Sequence, residues 1–188
     1  MRQLLMVMAW AVAGAAAALD YNAAPSVTAA AEGADGAVLR AAMDVAAPPQ
    51  AVYAALVDCP RAHLFMPGLL SCRVLERDPA GRWEVREHRL RGRGLKPVLL
   101  NVFRIDLEPP ARLAFRRVAG DWKRSEGEWR IQPLEGGLGA RVTYETHMAL
   151  AGPVPRAMVR AAIAQAMPKS LLALRREVLA RTQPAVRR

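Results

Sequence analysis

The chain has 188 residues, which suits one compact domain with short extensions and leaves no room for a second enzyme module. Hydrophobic residues make up 53% and charged residues 23% of the chain, a composition that excludes a disordered, collagen-like or low-complexity protein. Lys and Arg outnumber Asp and Glu by 27 to 17, and this net charge of +10 would suit a nucleic acid or an anionic membrane surface.

The first 18 residues have the parts of a secretory signal peptide. Arg2 supplies a positive charge, residues 4–18 are apolar, and three alanines at 16–18 form a small-residue end suited to cleavage. A membrane anchor is the alternative, but an apolar run of about 15 residues is shorter than the roughly 20 that span a bilayer. No lipid-modified cysteine follows the run, because the first cysteine is Cys59. We therefore predict an exported protein, periplasmic in a Gram-negative organism, that does not bind nucleic acid.

The chain has two cysteines, Cys59 and Cys72. An oxidising compartment after export would favour a disulfide between them, whereas two buried free thiols are the alternative that the sequence leaves open. Neither cysteine belongs to a CxxC motif, and His63, His88 and His147 are far apart in the sequence. We therefore expect no metal site and no cofactor.

Composition also divides the rest of the chain. Residues 19–36 are rich in Ala, Gly and small polar residues and lack periodicity, which predicts a flexible leader. The domain itself is predicted to occupy residues 37–182, and a basic tail at residues 183–188 ends the chain.

The domain is predicted to begin with a strand at residues 37–46 and a short helix whose start is marked by Pro48 and Pro49. A connector from Cys59 to Gly68 then leads to six strand-like runs. Turn residues between the runs indicate an antiparallel meander. The six runs are residues 71–77, 82–92, 97–108, 112–119, 123–133 and 140–150.

After Gly152 and Pro153 the apolar residues recur every three or four positions, which predicts one long helix. Pro168 lies inside this helix and predicts a kink near residues 164–167, because proline lacks an N–H group and clashes with the preceding turn. The order of elements predicts an α+β domain in which a curved antiparallel sheet of about seven strands wraps around the helix and encloses a space. The apolar stripe of the helix consists of Val159, Ile163, Met167, Leu171, Leu174 and Val178.

Alternation along the strands predicts which side chains line this space. By the same alternation His88 and His147 face outward. Glu87 and Arg89 would orient a polar head group, unless their strand end reaches solvent. The predicted ligand-binding residues are Phe65, Met66 and Leu69 in the connector, Trp83, Glu87, Arg89, Asn101, Phe103, Phe115, Ser125, Trp129, Tyr144 and Met148 in the strands, and Val159, Ile163, Met167 and Leu171 in the helix.

The run of residues 117–129 resembles the hairpin of START-like, SRPBCC-type proteins, in the branch of polyketide cyclases/dehydrases and coenzyme Q-binding proteins. The resemblance spans about residues 37–181 and implies the helix-grip (START/Bet v 1-like) fold, in which a curved sheet grips a C-terminal helix around an apolar cavity. Three further features fit this family, namely residues 47–53 before Val57-Asp58, Gly136-Gly137 before the last strand, and Pro153-Val154-Pro155 before the long helix.

The resemblance implies a ligand site without naming the ligand, because the family includes lipid carriers, quinone-binding proteins, polyketide cyclases and a ribosome-associated toxin branch. Export argues against a ribosome or a polyketide synthase as partner. We predict a binding protein that holds a lipid, isoprenoid or quinone, with transport as a further hypothesis. The alternatives are a cyclase- or hydrolase-like enzyme that uses Glu87, Arg89 or Tyr144, and an interaction module with a filled core.

The basic surplus is concentrated after Pro153, where it would contact an anionic membrane unless it forms an ordinary solvated helix face. The basic residues are Arg156, Arg160, Lys169, Arg175, Arg176, Arg181, Arg187 and Arg188, against Glu177 alone.

We expect the protein to be a monomer. Its ligand is predicted to enter between the connector and the helix near Met167.

Overall fold

A computed structural model of the protein describes residues 19–93, 96–152 and 155–183. The predicted signal peptide at residues 1–18 and all but the first residue of the predicted basic tail lie outside the described residues.

The described residues form an α+β domain of eight strands and two α-helices. The connector contains a 3-10 turn at Cys59–Leu64, and a second such turn lies at Glu135–Gly137. The strands are β1 (Ser26–Glu32), β2 (Gly36–Val45), β3 (Leu69–Arg77), β4 (Trp83–Arg93), β5 (Lys96–Glu108), β6 (Arg112–Gly120), β7 (Trp122–Leu134) and β8 (Gly139–Leu150), and the helices are α1 (Pro49–Val57) and α2 (Arg156–Thr182).

All eight strands belong to one antiparallel sheet in the order β1-β2-β8-β7-β6-β5-β4-β3. Strands β3 to β8 form the predicted meander, and its last strand, β8, pairs with β2. Two bulges interrupt the pairing of the edge strand β3 with β4, and they leave Leu70 and Leu75 without partners in the register. The other edge of the sheet is β1.

Strand β1 lies inside the segment that the sequence analysis treats as a flexible leader, so that prediction is wrong for these residues. The strand pairs with β2 along its length, and Val27 and Ala29 pack on the core. Residues before the strand are also held, because Tyr21 donates a hydrogen bond to Glu135 (2.6 Å) and Ala23 O accepts one from Arg175 (2.9 Å). Alanine has a low strand propensity, so this strand depends on contacts that the local pattern does not reveal.

The core lies where α1 and the C-terminal part of α2 pack on the concave side of the sheet, which we call the inner face. Its most buried side chains are no more than 1% exposed. They include Val45, Val52, Val142, Leu174 and Val178.

Helix α2 continues through Pro168, and its two halves differ in burial. In the closed half (residues 169–182) many side chains are buried, including two charged ones. Among the described side chains of the open half (residues 156–167), Val159 alone is buried, while Ile163 and Met167 are partly exposed. The buried side chains of the closed half are Leu171, Leu174, Arg175, Glu177 and Val178.

Ion pairs attach the closed half to the connector. Glu177 accepts hydrogen bonds from Arg61 (2.9 Å) and Arg181 (2.7 Å), and Arg181 also pairs with Asp58 (2.8 Å). Since Glu177 is only 9% exposed, it needs these partners to offset its loss of hydration.

Candidate functional site

Four aromatic side chains follow one another across the inner face, and we call them the aromatic wall. The ring centroids of Phe103 and Phe115 are 6.1 Å apart, those of Phe115 and Tyr144 are 6.1 Å apart, and those of Tyr144 and Trp129 are 4.2 Å apart. Phe103 is buried, whereas the other three remain partly exposed. Large apolar side chains that stay partly exposed on a concave face offer a surface that an apolar molecule can cover.

Gly127 lies next to the aromatic wall. It lies on the inner face between Phe115 of β6 and Thr146 of β8. A Cβ atom at this position would overlap the backbone carbonyl oxygen of Glu145, so the close approach of β7 to β8 requires glycine here. The position therefore adds no side chain next to the aromatic wall.

A polar group continues the line of the aromatic wall, and we call it the polar end. It consists of His88, Asn101 and Ser125, with His88 directly opposite Asn101 in the register of β4 and β5. The Asn101 amide donates a hydrogen bond to Ser125 Oγ (3.2 Å). The His88 ring meets the Phe103 ring edge to face, with centroids 4.7 Å apart.

Two atoms of the polar end lack partners. Nε2 of His88 and Oδ1 of Asn101 are buried, and neither makes a hydrogen bond within the described part of the chain. Burial, with a smaller effect of the Arg86 charge, lowers the pKa of His88 to about 4, so its imidazole is neutral at pH 7. Because buried polar atoms are nearly always paired, these two atoms indicate a position where a ligand group or water binds.

The inward and outward residues of β4 are the reverse of those predicted from the sequence. Arg86 lies opposite Phe103 of the core, so Arg86 and His88 point inward. His88 is 8% exposed, and the prediction that it lies at the surface is wrong. Three predicted ligand-binding residues instead lie on the outer face of the sheet, namely Trp83, Glu87 and Arg89.

A buried ion pair explains this error. Glu84 and Arg86 are 5% and 4% exposed, Arg86 Nε donates to Glu84 (2.8 Å), and Arg86 Nη2 donates to Val57 O (2.8 Å). Trp83 meanwhile lies on the outer face beneath the Arg104 guanidinium, 4.4 Å from its ring centroid. The usual rule of apolar inside and charged outside is therefore inverted along this part of β4.

The other predicted ligand-binding residues divide between the inner face and the core. Phe65 and Leu69 of the connector region and Leu171 of α2 are buried in the core, whereas Met66, Ile163 and Met167 are partly exposed beside it. Those on the inner face of the strands are Asn101, Phe103, Phe115, Ser125, Trp129, Tyr144 and Met148.

The sulfur atoms of Cys59 and Cys72 are bonded to each other, with Cα atoms 5.5 Å apart. Cys72 lies opposite His88 in the register of β3 and β4. The disulfide therefore holds the start of the connector against the inner face, next to the polar end.

The outer face carries charge rather than apolar surface. His147 lies there, as the alternation predicts, with Nδ1 2.8 Å from Glu32 and Nε2 3.0 Å from Glu145. A recess of about 310 Å³ on this face is lined in part by the ion pair of Arg40 and Glu145. Arg130 and Glu128 form a second ion pair in its lining, so this charged recess is less suited to an apolar ligand than the aromatic wall.

The basic surface predicted for α2 is smaller than the sequence suggests. Arg175 is buried beside Ala23, and Arg181 is paired with Asp58 and Glu177. The basic residues of α2 that remain exposed in the described part of the chain are Arg160, Lys169 and Arg176.

Residues 19–93, 96–152 and 155–183 contain no group of three or more His, Cys, Asp or Glu side chains placed to hold a metal ion. Neither of the helices there is both long and apolar enough to cross a membrane.

The sequence matches the family described as polyketide cyclase / dehydrase and lipid transport over residues 45–175. No curated protein matches the chain significantly.

Several solved structures share the fold. A STAR-related lipid transfer protein from Xanthomonas axonopodis aligns with a TM-score of 0.68 and 19% identity, covering 86% of this chain and 97% of that one. The Zhui aromatase/cyclase from Streptomyces aligns with a TM-score of 0.67 and 18% identity, covering 80% and 98%. A START superfamily protein from Mycobacterium smegmatis aligns with a TM-score of 0.67 and 18% identity, covering 77% of this chain and 99% of that one. These likenesses confirm the predicted helix-grip fold.

Proposed function

This chain belongs to the polyketide cyclase / dehydrase and lipid transport family, and we propose that it is an exported protein that binds one hydrophobic small molecule against its inner face. The observation that carries this proposal is the partial exposure of Phe115, Trp129 and Tyr144 on the concave side of the sheet. Each 100 Å² of apolar surface removed from water contributes roughly 2.5 kcal/mol, so covering these rings favours binding of an apolar molecule.

Binding without chemistry fits the inner face better than the enzymatic alternative. Of the three groups that the predicted cyclase- or hydrolase-like enzyme would use, Glu87 and Arg89 point away from the inner face. Burial raises the pKa of the third, the Tyr144 phenol, to about 12, which leaves it protonated and unsuited to act as a base near neutral pH. A carrier needs no such group, and the family description includes lipid transport.

Export is part of the proposal on two grounds. The first 18 residues have the composition of a signal peptide. The pairing of Cys59 with Cys72 suits an oxidising compartment, where disulfides persist.

The proposed entrance lies between the connector and the open half of α2. Met66, Ile163 and Met167 are partly exposed there. Since the open half makes few buried contacts, moving it costs less than moving the closed half.

Mass spectrometry of the protein purified without detergent tests this function. Native spectra are recorded first, and the protein is then extracted with organic solvent to identify what it carried. We expect one apolar molecule per chain in the wild type and its loss in a Trp129→Glu variant that retains the wild-type circular dichroism spectrum. A molecule present equally in both proteins would be a contaminant, and an empty wild type that takes up no apolar molecule would contradict the proposal.

A further inference from the structure

We infer that the polar end of the inner face binds the hydroxyl group of an uncharged ligand, so that the protein selects alcohols or phenols over carboxylates, phosphates and quinones. This inference rests on the proposed function and narrows its ligand class.

Asn101 requires a hydrogen-bond donor. Its amide nitrogen donates to Ser125 Oγ (3.2 Å), which fixes the amide with Oδ1 directed away from Ser125. Oδ1 is buried and makes no hydrogen bond with any described residue. An unpaired buried acceptor destabilises the protein, so a ligand that donates to Oδ1 gains binding free energy by removing this penalty.

His88 supplies the complementary group. Its ring is packed against Phe103, and its buried Nε2 makes no hydrogen bond to the described part of the chain. Residues directly opposite in an antiparallel pair have Cβ atoms about 5 Å apart, so one ligand atom can reach both His88 and Asn101. A hydroxyl group fits this position, because it donates a hydrogen bond to Asn101 Oδ1 and accepts one from His88 in the neutral tautomer that is protonated on Nε2.

Anionic groups and carbonyls fit less well. A carboxylate, a phosphate or a quinone oxygen only accepts, so each would leave Asn101 Oδ1 unpaired. An anion would also need a positive charge. His88 is neutral at pH 7, and Arg86 on the same face is already held by Glu84 and Val57 O. Arg117, opposite Phe103, is exposed to water and donates to Gly120 O. Burial of an anion here would therefore be costly.

The arrangement also fixes the order of the ligand's parts. The His88 ring contacts Phe103, and the aromatic wall continues from Phe103 through Phe115 to Tyr144 and Trp129. A ligand with its hydroxyl at the polar end would lay its apolar body along the aromatic wall. Flat ring systems suit such a wall because aromatic rings stack favourably.

Three probes with the same ring system test the inference, and each is titrated into the full chain at pH 7 by calorimetry. 2-Naphthol donates and accepts, 2-methoxynaphthalene accepts only, and 2-naphthoate is an anion. We expect 2-naphthol to bind about tenfold more tightly than either of the others, because one further buried hydrogen bond forms. Asn101→Leu and His88→Phe should remove this preference, while the control Arg89→Gln, on the outer face beside His88, should keep it.

The outcomes separate the inference from the function on which it rests. If all three probes bind with equal affinity, or if Asn101→Leu and His88→Phe keep the preference, the hydroxyl site is wrong while ligand binding stands. If none of the probes binds, the result counts against both. Should Asn101→Leu fail to fold, Ser125→Ala replaces it, and loss of the Ser125 contact should reduce the preference severalfold by freeing the amide to rotate.

Discussion

The two halves of α2 have the same helical backbone and opposite surroundings. The closed half contributes Leu171, Leu174 and Val178 to the core, each no more than 1% exposed. The open half leaves Ile163 and Met167 partly exposed and contributes one buried side chain, Val159, among those described. The apolar stripe continues through both halves, so the stripe alone does not determine burial. The closed half differs because it packs on the core beside α1 and is joined to the connector by ion pairs.

In the proposed function, the closed half of α2 stabilises the domain and the open half borders the entrance for the ligand. A fully packed helix would give a more stable domain with no room for a ligand, whereas a fully open one would leave too little core. The measurements that follow test this division, from the largest expected effect to the smallest.

The largest effect is expected in the closed half. Leu174→Ala should lower the free energy of unfolding by about 4 kcal/mol, because the side chain is 1% exposed and leaves a cavity. Met167→Ala in the open half should lower it by about 1 kcal/mol, because Met167 is only partly buried. Leu172→Ala, at a side chain 36% exposed, is the control and should change it by less than about 0.5 kcal/mol. Urea denaturation measures all three, and equal losses at positions 167 and 174 would contradict the comparison.

The disulfide attaches the connector, which contacts the closed half, to the ligand-binding side of the sheet. Replacing Cys59 and Cys72 together by serine should cost about 3 kcal/mol of stability, the value expected for the entropy of so short a loop. Hydrogen exchange should show increased opening of the connector and β3, with the closed half of α2 still protected. Two reactive thiols in the denatured, unreduced wild-type protein would show that the bond does not form.

The polar end should make stability depend on pH. The pKa of His88 is about 4 in the folded chain against 6.5 as its ordinary value, so the unfolded chain binds a proton between these values and the folded chain does not. The contribution of neutral His88 to the free energy of unfolding is fully present above pH 6.5. It decreases by about 3 kcal/mol in total as the pH falls toward 4. The difference between the wild type and His88→Phe, measured by urea denaturation at several pH values, isolates this contribution. A constant difference would show that His88 is not neutral and buried.

The open half should control ligand entry. Met167→Trp should weaken uptake of 2-naphthol severalfold and change the free energy of unfolding by less than about 1 kcal/mol, since the added ring fills space beside a partly exposed side chain. The matched control is Leu172→Trp in the closed half, which should leave uptake unchanged. Unchanged uptake in Met167→Trp would place the entrance elsewhere.

The smallest effect concerns the membrane. If the entrance meets an anionic surface, Arg160→Gln in the open half should weaken binding to vesicles that contain phosphatidylserine about fivefold, the equivalent of about 1 kcal/mol for one charge. Arg176→Gln in the closed half should have less effect. Binding that is insensitive to added salt would contradict an electrostatic contact.

Much of the fold is predictable from the sequence because turn residues mark the strand ends. Gly120-Asp121 and Gly136-Gly137 separate the last three strands, and the seven predicted strands agree with the structure to within about two residues at each end. Strand β1 escapes prediction because its small alanines give a weak alternation, while its stability comes from β2 and from contact with α2.

The site is less predictable than the fold. Alternation in β5 to β8 correctly predicts the face of Phe103, Phe115 and Tyr144, since each of those strands places apolar residues inside. In β4 the inward Arg86 is neutralised by Glu84, a pairing that no local pattern shows. The register of the β4–β5 hairpin would have revealed that Arg86 points inward, because Arg86 lies opposite Phe103, which points inward.

The two bulges of β3 have a consequence for how the molecule behaves among its own copies. An open sheet ends in an edge strand whose free N–H and C=O groups can template further strands, the first step of fibril growth. The unpaired residues Leu70 and Leu75 are each 48% exposed, so apolar side chains lie on this edge as well. The bulges break the edge into short pieces that a second copy cannot match along their whole length. Deleting Leu75 would straighten the strand, and the expected result is a domain that still folds but aggregates edge to edge at high concentration.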